Sequence, residues 1–184
     1  SVVDEIRERV ERLLREVEKT TEELRDTVRK LVEESEELTK RIEDEVRKLV
    51  EKVRRELRRK REDEVTRIRK ELEDILKEVK RLLDENRDKV RRVLERAKRL
   101  LEDSKRRLDE IVERVRDLLE KIGTDEDKLR EVLEEVKERI DRLKELDKKI
   151  LEDVKRLVKE SKEELKDILR RARKLIRDLE EKIK

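Results

Sequence analysis

The chain has 184 residues, 61% of them charged and 32% apolar, with a single Gly and no aromatic residue, Cys, His or Pro. Its 58 basic and 55 acidic side chains nearly cancel to a net charge of +3, so there is no global field to attract nucleic acid or anionic lipid. Without Cys there is no disulfide, thiolate metal site or thiol nucleophile, and the redox compartment is left open.

Only twelve residue types occur. Dense charge is compatible with disorder, but here the apolar residues recur regularly, and heavy Glu, Lys, Arg and Leu usage at helical spacing is the mark of long packed helices. No apolar run approaches the roughly 18 residues of a membrane span, and none reads as a secretory signal. Ser1 in place of Met suggests a processed or tag-cleaved start.

The first element is a helix over about 2–60. Its apolar stripe repeats every 18 residues, as in Ile6/Leu24/Ile42, Val10/Val28/Val46 and Leu13/Leu31/Leu49. Eighteen residues make five turns at roughly 3.6 residues per turn, which predicts nearly untwisted helices rather than a supercoil. One broad stripe implies one core. The opposite face carries pairs such as Glu5/Arg9 and Glu8/Arg12 at i, i+4, whose ordinary role is a solvated surface.

After Leu57 the stripe should continue at Lys60, Glu64 and Arg67, which are all polar, and it restarts out of phase at Val65, Ile68 and Leu72. Between lies RRKREDE, residues 58–64, whose basic half suits a helix C-terminus and whose acidic half suits an N-terminus. A turn is therefore expected at Arg61, Glu62 and Asp63, with Asp63 as N-cap. The cluster RRELRRKR, residues 54–61, could hold phosphate, but Glu56 and the following acids interrupt it, and complementing a helix end accounts for it.

The second helix is expected over about 64–122, with the same step in Leu72/Val90/Leu108, Ile75/Val93/Ile111 and Leu82/Leu100/Leu118. Gly123 then suits the left-handed position past a helix end, and Thr124 suits the next N-cap. Asp127 completes a weak capping box with it. The third helix follows over about 125–183, with Val132/Ile150/Ile168 and Ile140/Val158/Ile176. Each helix would measure about 88 Å at 1.5 Å per residue.

Nine polar residues interrupt the stripes: Thr20, Thr21, Ser35, Thr39, Asn86, Ser104, Arg139, Asp147 and Ser161. In up-down-up packing, residue i of the first helix lies level with about 123 − i in the second, and residue j there with about 247 − j in the third. Asn86 then meets Ser161 and the stretch between Ser35 and Thr39. Ser104 meets Thr20, Thr21 and the segment bracketed by Arg139 and Asp147. The nine collapse into two layers that would fix helix register, since misalignment would leave polar groups buried and unpaired. A small-ligand pocket is the functional alternative. Arg139 and Asp147 could also lie at the stripe's edge, where Leu146, the one apolar residue off the stripe, takes over.

The repeat in ILKEVKRLLDENRDKVRRVLERAKRLLEDSKRRLDEIVERVRDLLEKIG, the matched helix lengths and the restricted alphabet resemble de novo designed, parametrically generated straight three-helix bundles. The resemblance covers the whole chain and implies a stable monomer with no activity unless one was added. The missing glycine at the first turn and the polar layers depart from that pattern.

The expected fold is an all-α, single-chain, antiparallel up-down-up bundle in one domain, 1–184. The role is that of a structural scaffold, or alternatively an interaction module that accepts a fourth helix or a second copy. No catalytic residue, metal or cofactor is assigned, because carboxylates on a wet face lack a shaped pocket and separated pKa values. No nucleic-acid, membrane or protein partner is expected. Localisation is undetermined, with the cytoplasm expected in a bacterial host.

Overall fold

The computed structural model describes residues 1–184 and is all-α, a three-helix bundle. Helix α1 spans Val2–Leu57, α2 spans Glu62–Ile122 and α3 spans Glu126–Ile183. With no Pro to break the ladder and every apolar stripe at helical spacing, each helix runs without interruption for 56, 61 and 58 residues respectively.

The helix ends follow the charge pattern. Ser1 caps α1, its hydroxyl accepting from the Asp4 amide at 3.3 Å and donating to the Asp4 carboxylate at 3.0 Å. Acids fill the first turns (Asp4 and Glu5 in α1, Glu62, Asp63 and Glu64 in α2, Glu126 and Asp127 in α3) and bases the last turns, complementing the helix dipoles.

The first turn lies earlier than expected. Its residues are Arg58, Arg59, Lys60 and Arg61, entered through tight i→i+3 bonds from the Arg59 amide to Glu56 O (3.3 Å) and from the Lys60 amide to Leu57 O (3.1 Å). Helix α1 therefore stops at Leu57, its last stripe residue, rather than near residue 60. Glu62 and Asp63 are not turn residues: α2 begins with them. Arg61 holds the N-cap place, its carbonyl accepting from the Val65 amide at 3.0 Å. Three acids in the first helical turn lie beside its free amides, where their charge is most favourable, and Asp63 as N-cap would forgo two of those places.

At the second turn Gly123 adopts φ 64°, the only positive φ in the chain. Thr124 is not the cap. Asp125 takes that role, its side chain accepting from the Lys128 amide at 3.3 Å and its carbonyl from Leu129 at 3.0 Å. Gly123 and Thr124 are both needed to reverse the chain before α3 can start, which displaces the cap by one residue. Residue N3 then becomes Lys128, so the Thr124/Asp127 capping box does not form.

The contacts divide the chain into two compact units. Unit 1 comprises Ser1–Lys30 and Leu94–Lys155, and unit 2 comprises Leu31–Val93 and Arg156–Lys184. Each contains a segment of all three helices, because in a bundle of long helices a residue touches only what lies level with it.

In unit 1 the core joins Ile6, Val10, Leu14 and Val17 of α1 to Leu108, Val112, Val115 and Leu119 of α2 and Leu129, Val136, Ile140 and Leu143 of α3. In unit 2 it joins Ile42, Val46, Val50, Val53 and Leu57 to Val65, Ile68, Leu72, Val79 and Leu83, and to Leu165, Ile168, Ala172, Ile176 and Leu179.

Register in unit 2 is visible in its ion pairs. Glu34 meets Lys162 at 2.7 Å, Glu45 meets Arg173, and Lys52 meets Glu180 at 3.9 Å, so the α1 and α3 numbers rise together. On α2 they fall as α3 rises: Glu71 meets Lys182 at 3.5 Å, Glu78 meets Arg171 at 2.5 Å, and Lys89 meets Glu164 at 3.3 Å. Helix α2 is therefore antiparallel to the other two in this unit.

Candidate functional site

Seven polar side chains are buried: Thr21, Ser35, Thr39, Asn86, Ser104, Asp147 and Ser161. They fall into one group in each unit, and each group begins one helical turn past the end of its unit's apolar cluster.

The group in unit 2 centres on Asn86, which is 0% exposed. Asn86 Nδ2 donates to the Ser161 carbonyl at 3.2 Å, and Ser161 Oγ donates to Asn86 Oδ1 at 2.8 Å. The Ser161 hydroxyl has only one proton. In its 3.0 Å contact with Ser35 Oγ, Ser35 must therefore be the donor. Three helices are joined through one hydroxyl. Thr39 lies alongside but bonds within α1, its Oγ1 donating to the Ser35 carbonyl at 3.1 Å. This back-bonding satisfies a buried hydroxyl without a partner from another helix.

The group in unit 1 is smaller. Ser104 Oγ donates to Asp147 Oδ1 at 2.6 Å. Thr21 stands beside the same carboxyl, while its proton goes to the Val17 carbonyl at 2.9 Å. Burial pushes the Asp147 pKa up from the ordinary carboxylate value, partly opposed by the Ser104 and Thr21 hydroxyls beside it.

Thr20, expected in this group, and Arg139, expected either there or at the stripe's edge, are absent from it. Thr20 is exposed and bonds the Glu16 carbonyl at 2.8 Å. Arg139 is half-exposed and pairs with Glu135 at 2.9 Å along its own helix. Adjacent residues on a helix point about 100° apart, so only one of Thr20 and Thr21 can enter the core. Arg139 lies two turns before Asp147, beyond reach of Ser104's level. Leu146 is half-buried at the rim of a groove between α2 and α3 with Ile111 and Leu143.

Two features went unread in the sequence. Arg7, half-buried, donates to the carbonyls of Leu119 (2.9 Å) and Gly123, tying α1 to the C-terminal end of α2. Only its place on α1, level with that helix end, signals the role. Glu180 has a side chain only 12% exposed, and its Oε1 lacks a hydrogen-bond partner while Lys52 lies 3.9 Å from Oε2.

The basic cluster near the first turn surrounds a shallow hollow lined by Arg55, Glu56, Arg59, Lys60, Ile183 and Lys184. It holds a carboxylate among its cations, as the sequence suggested. No group of three or more carboxylates is placed to hold a metal ion, and no helix is long and apolar enough to cross a membrane. Comparisons with protein-family models, with curated proteins and with solved structures found no match.

Proposed function

We propose that the protein is a designed structural scaffold with no enzymatic activity, a monomer in which the two buried polar groups act as hydrogen-bond networks that fix helix register. One observation carries the reading: buried polar side chains from different helices bond to one another at a common level in each unit, while the only large apolar side chain left exposed is Val2, at 45%. Polar groups so placed penalise any slip, because a shifted helix would leave a buried donor or acceptor unpaired at a cost of about 1–3 kcal/mol each. Covering the apolar stripe leaves a surface of dense mixed charge that disfavours association. No cofactor, nucleic acid, membrane or protein partner belongs to this role.

Light scattering tests the reading: a mass near 22.7 kDa at micromolar concentration is expected. The rival reading, an interaction module for a fourth helix or a second copy, draws on the groove between α1 and α2 in unit 2, floored by Val46, Val50, Leu76, Val79 and Leu83. Four of these five are already buried, so a partner would gain little there. Twice the monomer mass would favour the rival and count against the scaffold.

A further inference from the structure

Asp147 is the one ionisable residue among the seven buried polar side chains. Its 5% exposure leaves little access to water, and no Lys or Arg is paired with it. The faces packed against it are neutral, Thr21 from α1 and Ser104 from α2. The charged residues flanking the site are Glu18 and Arg25 on α1, Asp103 and Arg107 on α2, and Lys144 and Lys148 on α3, and all of them are exposed.

The count of protons is decisive. Ser104 supplies one, at 2.6 Å. Thr21 has one, and it is committed to the Val17 carbonyl. An ionised Asp147 therefore holds the Ser104 bond, and gains a second from Thr21 only by drawing that proton away from the Val17 carbonyl. A protonated Asp147 still accepts from Ser104, and its own O–H can donate to Thr21 Oγ1. The neutral form satisfies every group and buries no charge, and an uncompensated buried charge is costly.

We propose that Asp147, held between Ser104 and Thr21, makes unit 1 a proton-responsive element: the protonated carboxyl completes the polar group and tightens the three helix segments around it, and loss of the proton loosens them. The sign follows from linkage. A carboxyl whose pKa is raised by folding binds more protons folded than unfolded, so its contribution to stability falls as pH rises from the ordinary value through the raised one. A variant at position 147 separates this contribution from that of the rest of the chain. Asp147 plays this part whether the protein is a scaffold or an interaction module, since either would carry the same buried carboxyl.

Hydrogen exchange from about pH 4 to 7, with amide rates divided by their intrinsic rates, tests it on the full chain and on Asp147→Asn, whose amide mimics the protonated acid. In the parent, protection over residues 17–24, 101–108 and 143–150 should fall with rising pH, by up to about tenfold for each unit of pKa displacement. In the variant it should fall less, and protection around Asn86 should change alike in both. Parallel pH profiles in parent and variant at unit 1 would overturn the proposal. If the variant does not fold, the carbon-13 titration of the Asp147 carboxyl in the parent decides: a midpoint above the ordinary carboxylate range supports the proposal, and one at or below it sinks it.

Discussion

Single residues show how much of this protein is set by one proton or one torsion angle. Asn86 makes two direct bonds to Ser161, and Ser35 joins through the same hydroxyl. Leu at 86 would remove the amide but leave Ser35 and Ser161 bonded, with Ser161 free to turn back to a carbonyl of its own helix. Asn86→Leu should therefore keep the fold and leave stability unchanged or raise it by about 1–2 kcal/mol, on the scale of added apolar burial. Urea denaturation reads this, and a loss beyond about 2 kcal/mol would mark the group as strongly stabilising. Gly123 offers a cleaner case. A Cβ there meets nothing within 4 Å, so any penalty is conformational. With φ at 64°, Gly123→Ala should cost about 1 kcal/mol, and Gly123→Asn less, by the same denaturation measurement. The sequence marked Asn86 and Ser161 as level with each other because helix rise alone carries that. It could not choose between Thr20 and Thr21, because a rotation of the helix by a fraction of a turn exchanges them.

At the scale of the helix, ends are decided by caps rather than by periodicity. Asp125, not Thr124, bonds the Lys128 amide, so Asp125→Ala should lower stability by about 1 kcal/mol and Thr124→Ala by much less. Thermal unfolding of the two variants checks the order, and a larger loss for Thr124→Ala would return the cap to Thr124. Both turns should be the first places cut by a protease without charge preference, at residues 58–61 and 123–125, because exposed turns open at low cost. Cutting confined to the Gly123 turn would argue for continuous helix through residue 60. The apolar stripe located the first turn to within a few residues. Its exact place depended on the three acids Glu62, Asp63 and Glu64 entering the first helical turn together, a competition between end effects that the stripe does not record.

For the whole chain, composition and stripe predict a solution monomer, and an absence of concentration dependence in the sedimentation coefficient at micromolar levels would agree with that. The sequence alone determined that there are three helices, because an 18-residue repeat broken twice leaves three stripes, each needing the others to cover it. It also determined which levels are polar, since rise per residue converts position directly into height. Tertiary structure decided the rest. Hydrogen bonds between helices depend on which way a side chain points, so only packing separates Thr21 from Thr20, admits Asp147 to the core and leaves Arg139 in its surface pair with Glu135. Packing also sends Arg7 to carbonyls more than a hundred residues away along the chain. Periodicity is a property of one helix, whereas a buried partner is a property of two or three helices brought level. That is why the count and height of the elements could be read in advance and the pairings could not.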